Sequence, residues 1–171
     1  TSSGQFDVDY VVGSADYQHV DSVLIEKKYS NYNSSYWEKK TFSPSSLLFY
    51  LGLNKKINNL EHHNLFFDED IEEHISQIYN DPVWPSKPLF YACCPSKTDS
   101  SVAPLGKENL FLLIPIAAGL RDDSKLYDMY LNRMITRIEK YIGENISKNI
   151  EFKRSYCISD FENDYNAYKG N

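Results

Sequence analysis

A chain of 171 residues with 42% hydrophobic content is long enough to bury one core, and a single domain over residues 1–171 is expected. A net charge of −6 leaves no broad basic surface, so a nucleic-acid partner is not expected, and no apolar run reaches the ~20 residues of a membrane span. Cys93, Cys94 and Cys157 are odd in number and two are adjacent, which speaks against a disulfide framework and for a reducing, cytoplasmic compartment.

Along the chain, Phe6, Val8, Tyr10 and Val12 alternate with Asp7 and Asp9, the pattern of a half-buried strand. Gly13-Ser14 then turns this strand into a helix from about Ala15 to Glu26. Lys27 to Lys40 is polar and tyrosine-rich and reads as a loop plus a short helix ending at Lys39-Lys40. Ser45–Leu53 places Leu47, Phe49, Leu51 and Leu53 on one side and Leu48, Tyr50 and Gly52 on the other, which predicts a strand covered on both faces. The Asn- and Lys-rich segment 54–61 reads as an antiparallel turn into a second short strand at His62–Phe67.

Asp68 or Asp70 can cap a helix that carries Ile71, Ile75 and Ile78 on one face and stops near Asn80, before Pro82. The five acidic residues of 68–73 stand near His62, His63 and His74. Cap and dipole chemistry accounts for the acids, no recognised ligand spacing is present, and no metal site is expected. Pro82, Pro85 and Pro88 fix an extended connection around Trp84. Leu89–Cys94 and Asn109–Ile116 read as strands, with Pro115 at an edge or bulge. Cys93 and Cys94 read as small buried hydrophobes rather than as a redox pair.

Ser124–Ile142 carries a broad apolar stripe, with Ser124 as cap and Gly143 as stop, and is the longest expected helix. Asn149–Ile158 reads as a last strand, and Ser159-Asp160-Phe161-Glu162 as a capping box opening a short helix. The total is an α+β domain, a mostly antiparallel sheet of about five or six strands with helices packed on it. Ser-His-Asp arrangements, HExxH, phosphate loops and dinucleotide glycine fingerprints are all absent from the sequence, so no catalytic residue is assigned.

The segments VVGSADYQHVD (11–21), YWEKKTFSPSSLLFYLGLNKKI (36–57), LEHHNLFFDED (60–70), PSKPLFYACCPSKTDSSVAPLGKENLFLLIPIAAGL (85–120) and DFENDYNAYKGN (160–171) resemble the carotenoid (phytoene) desaturase family of FAD-dependent oxidoreductases. The resemblance covers nearly the whole chain. It implies an internal piece of a longer enzyme, because the glycine-rich fingerprint and the C-terminal flavin segment of that family have no counterpart here. Residues 1–16 resemble the strand by which that family's chain re-enters the flavin domain, and the remainder resembles the substrate-binding region.

The resemblance further implies FAD in the full-length enzyme and none bound by this piece alone. Its expected partners are a long linear forty-carbon polyene such as phytoene, a peripheral membrane surface, and the flavin-binding parts of the same enzyme. Ser14, Ala15 and Asp16 are expected near the flavin, and Leu47, Phe49, Leu51, Leu65, Phe67, Phe90, Phe111 and Leu113 along the substrate. Two readings of other classes stay open: a non-catalytic isoprenoid- or lipid-binding module, and a self-associating interaction domain.

Overall fold

The structure, a computed structural model, describes residues 3–171. Near the N-terminus lie a single helical turn, α1 (Tyr17–His19), which runs into a π turn at Val20–Leu24, and α2 (Ser34–Glu38). Then come β1 (Ser45–Leu53), β2 (His63–Phe66), α3 (Ile71–Tyr79), β3 (Phe90–Cys93) and β4 (Glu108–Ile116). The chain closes with α4 (Ser124–Ile142), β5 (Ile150–Tyr156) and α5 (Ile158–Tyr165). The strands form one antiparallel sheet in the order β2-β3-β4-β1-β5, which bears out the expected α+β class.

β1 and β4 pair over their full lengths, from Ser45 opposite Ile116 to Leu53 opposite Glu108. Strict alternation then sends Leu47, Phe49, Leu51 and Leu53 to the same face as Leu110, Leu112, Ile114 and Ile116, and all eight are buried. α4 belongs to the same hydrophobic cluster through Tyr130, Leu131, Met134, Ile135, Ile138 and Ile142, which recur at helical spacing. Each such aliphatic side chain contributes about 2 kcal/mol by leaving water. α4 begins at Asp123, whose carboxylate accepts from the Lys125 N–H at 3.0 Å, and ends at Gly143 with φ of 75°. Asp123, not Ser124, is therefore the cap.

Polar contacts fix the layers. The Tyr130 hydroxyl donates to the Pro85 carbonyl at 2.7 Å, and Arg137 donates to the Pro88 carbonyl while its guanidinium lies 4.7 Å from the centre of the Phe90 ring. These bonds hold the proline-rich connection against α4. His74, buried on α3, donates from Nε2 to the Pro115 carbonyl at 2.9 Å and accepts at Nδ1 from the Leu89 N–H at 3.1 Å. Pro115 sits where β3 no longer pairs with β4, so its missing N–H removes no ladder bond.

Several expected elements differ. Segment 54–61 does not join a hairpin: β1 is flanked by β4 and β5, and β2 lies at the far edge against β3. A strand apolar on both faces gains most from a central position with neighbours on each side, which outweighs the local turn signal. Phe6–Val12 forms no strand and is exposed throughout, because its alternating side chains find no partner strand among those of the sheet. The helix expected at Ala15–Glu26 stops at Leu24, since Asp21 turns its carboxylate away to accept from the Asn31 N–H at 2.8 Å, the Tyr32 N–H and the Ser30 hydroxyl. On α3, Asp70 is the cap, but Ile71 and Ile75 are exposed and His74 takes the inward position. α5 is capped at Cys157, whose N–H donates to the Asp160 carboxylate at 2.8 Å, and Ser159 instead donates to Asp122.

The C-terminal residues close the sheet's open end. The Ser45 hydroxyl donates to the Gly170 carbonyl at 2.5 Å, and Asn171 donates to the Ser43 carbonyl at 2.7 Å. Gly170 has φ of 66°, and a Cβ there would lie 2.9 Å from the Ile158 Cα. Gly170→Ala is expected to cost about 2–3 kcal/mol in urea unfolding, from the left-handed backbone and from contact with a main chain that cannot yield.

Burial holds the His74 pKa below the ordinary histidine value of 6.5. The unfolded chain therefore takes up this proton first, so the His74 contribution is fully present above about pH 6.5 and is lost as the pH falls towards the lowered folded value. Denaturant midpoints between pH 7.5 and pH 5 are expected to drop in the wild type. In His74→Gln they start lower and fall less.

Candidate functional site

The register that buries one face of the sheet composes the other. His63, Cys93 and Phe111 lie opposite one another across β2, β3 and β4, and the row continues to Tyr50 on β1 and Arg154 on β5. A second row runs Leu65, Tyr91, Leu113, Leu48 and Tyr156. At the β5 corner α5 covers this face: Tyr156 packs edge-on to Phe161 at 4.8 Å, and its hydroxyl donates to Asp164 at 2.8 Å. Towards β2 the face is open, with Tyr50 41% and Leu65 65% exposed.

Tyr50, Phe111 and Tyr91 make a continuous aromatic strip, with ring centres 5.3 Å apart for Tyr50 and Phe111 and 6.3 Å apart for Tyr91 and Phe111. Together with Cys93, Pro95 and Asn109 they line a cleft of about 420 Å³. Its walls are mainly ring and aliphatic carbon, with few groups able to hydrogen-bond.

A polar cluster stands at the β2 end of the strip. The His62 and His63 rings stack at 4.1 Å, His63 Nδ1 lies 2.5 Å from the Tyr91 hydroxyl and 3.9 Å from Cys93 Sγ, and His62 Nδ1 lies 2.6 Å from the Thr98 hydroxyl. The hydrogen bond with Cys93, helped by burial, pushes the Tyr91 pKa up to about 12, so this phenol keeps its proton at neutral pH. Cys94 points to the opposite side into the core, where burial pushes its thiol up to about 11. Both adjacent cysteines are thus buried, as expected, but on opposite faces of the sheet.

Of the residues expected along a substrate, Leu47, Phe49, Leu51 and Phe90 face the core, each at most 2% exposed. Phe111 and Leu113 lie on the open face, and Leu65 flanks it. Phe67, just beyond β2, is exposed and lines a separate shallow cavity of about 780 Å³ with Arg137, Lys140 and Tyr141. Ser14 and Ala15 are exposed, and Asp16 accepts from the His19 N–H at 2.9 Å as the cap of α1. Tyr50, Tyr91, His63 and Cys93 were not singled out as a group from sequence. β4 is apolar at both parities, so periodicity alone does not say which side faces out.

No family model matches the chain. Among curated proteins, a carotenoid 3,4-desaturase of Haloarcula japonica is 39% identical over 162 residues, covering 95% of this chain and 33% of the relative. A phytoene desaturase of Fusarium fujikuroi is 33% identical over 67% of this chain and 20% of its own length. A 4,4'-diaponeurosporene oxygenase of Staphylococcus aureus is 28% identical over 77% of this chain and 27% of its own length. The chain therefore spans a third or less of each of these relatives.

Neighbouring residues on opposite faces test the assignment of the sheet's two sides. Leu112→Ala is expected to cost about 3 kcal/mol, because it opens a cavity under α4, whereas Phe111→Ala is expected to cost about 1 kcal/mol, mainly its cross-strand ring contacts. Paired urea unfolding curves measure the difference.

Proposed function

We propose a role for this chain on the premise that it belongs to the carotenoid and phytoene desaturase family, spanning about a third of its Haloarcula japonica relative. In this reading it supplies one apolar wall of the substrate site in an oxidoreductase that extends the conjugated double bonds of a long linear polyene such as phytoene. The observation that carries the reading is the aromatic strip on the open face, where Tyr50 is exposed and Tyr91, Phe111 and Leu113 are half-buried beside it. A polyene offers no hydrogen-bonding groups along its length. A protein holds it by removing apolar area from water and by ring contact, and the strip provides both.

FAD is the cofactor proposed for the whole enzyme, and the described residues do not by themselves form a cradle for it. α1 has only three residues, Asp16 is spent on its cap, and a Cβ at Gly13 would meet Val20 at 3.2 Å, so that glycine serves close packing within the segment. We therefore assign the flavin to segments outside this chain, and Ser14, Ala15 and Asp16 to a position beside it. What this chain's residues contribute is position and dryness: a rigid strip that orients the polyene and keeps water from it.

A cytoplasmic, membrane-peripheral setting completes the proposal, since a water-insoluble substrate is drawn from a bilayer. Among the described residues no helix is long and apolar enough to cross a membrane. The flavin-binding parts of the same enzyme are the proposed cover of the open face.

Quenching of tyrosine and tryptophan fluorescence by a linear polyene in detergent micelles tests the wall. Saturable quenching is expected, weakened about ten-fold or more by Leu113→Arg, equivalent to ~1.4 kcal/mol, and unchanged by Val102→Arg on an exposed turn. Equal quenching of the wild type and Leu113→Arg overturns the reading.

A further inference from the structure

The cluster at the β2 edge has a donor set that the apolar strip does not need. His63 and Cys93 are directly opposed in the β2–β3 ladder, so their side chains leave the sheet on the same side from adjacent backbones. His62 precedes the first ladder residue, and its ring folds onto that of His63 rather than to the opposite face. Its carbonyl accepts from the Cys94 N–H at 2.8 Å, which pins the backbone of residue 62 against β3. Two imidazole nitrogens and one sulfur thereby lie within 4.8 Å of one another.

We propose that His62, His63 and Cys93 form a binding site for a borderline-soft divalent transition metal, of which zinc is the representative. Two imidazoles and a thiolate are ligands that such ions favour, whereas magnesium and calcium take oxygen. Tetrahedral bonds of 2.0–2.3 Å hold ligand atoms about 3.5 Å apart, so the 3.9 Å between His63 Nδ1 and Cys93 Sγ is close to the bound spacing. Small side-chain rotations close the rest. β2 is an edge strand and His63 is exposed, which gives the ion an entry path.

Binding releases the Cys93 thiol proton to solvent, and the resulting thiolate and two neutral imidazoles leave a fourth position for water. The supporting groups are already in place. The Thr98 hydroxyl is within hydrogen-bond distance of His62 Nδ1, and the Tyr91 hydroxyl, freed from His63 when that nitrogen takes the metal, can donate to the thiolate. Sequence spacing gives no hint of this site, because Cys93 lies 30 residues from His63 and only strand pairing joins them. Since Cys93 also lines the aromatic cleft, the ion would stand at its mouth.

Titration of the chain with cobalt(II) as the probe ion tests the proposal. The expected result is one equivalent bound, with an intense thiolate-to-cobalt charge-transfer band in the near ultraviolet that zinc abolishes by competition. Cys93→Ser is expected to lose the band and His62→Ala to weaken binding at least ten-fold, both with wild-type far-ultraviolet circular dichroism. No charge-transfer band in the folded wild type, or a band that survives in Cys93→Ser, overturns it. The polyene titration is read without metal, so the failure of one proposal leaves the other standing.

Discussion

The pairing of β1 with β4 is the constraint from which the remaining architecture follows. Both strands are nine residues long, both are apolar at nearly every position, and they match end to end. Two such strands cannot sit at a sheet edge without exposing a long hydrophobic ladder. Placing them side by side at the centre forces β3 and β5 to the outside, and the period of two leaves each strand with one face for α4 and one for whatever lies opposite. A slip of one residue would exchange Leu112 for Phe111 beneath α4, and every partner with it.

Around this centre, buried polar groups hold position rather than add bulk stability. Glu108 at the start of β4 is 2% exposed; burial alone would raise its pKa, but the Ser96 hydroxyl and Lys97, whose Nζ lies 3.1 Å away, outweigh this and hold it below the ordinary glutamate value. His74 links α3 to β4 and to the segment leading into β3, and Arg137 joins α4 to Asp68 by a forked pair and to the Pro88 carbonyl. Loss of a partner from Glu108 or His74 strands a buried polar group in low dielectric, which costs more than the contact itself contributes, whereas the Asp68 end of the Arg137 pair stays in water. The β2 edge is thus held in a defined place, with the aromatic strip and the His62–His63–Cys93 cluster side by side.

The exposed segment around Phe6–Val12 and the uncovered half of the sheet are both apolar surface that no described strand or helix covers. The chain spans about a third of its Haloarcula japonica relative, and apolar surface in one part of a longer enzyme is surface that another part can cover. Strand-like alternation in a segment with no partner strand among the described residues is understandable on the same ground.

Local pattern in the sequence determined a good deal on its own: the class of fold, β1 and β4, the span of α4 and its glycine stop, an aspartate cap for α3 at Asp68 or Asp70, and the family through its quoted segments. These are properties of neighbouring residues, readable from periodicity and capping chemistry. Only the tertiary structure decided strand order, and with it which half of each strand faces out. Leu47, Phe49, Leu51 and Phe90 were as plausible along a substrate as Phe111 and Leu113, because a strand apolar at both parities carries no label for its faces. The helix α4 supplies that label by sealing one side. The polar cluster was equally invisible, since its members are brought together by hydrogen bonds between β2 and β3, and the pairing of distant strands is a choice made by the whole sheet rather than by any stretch of the chain.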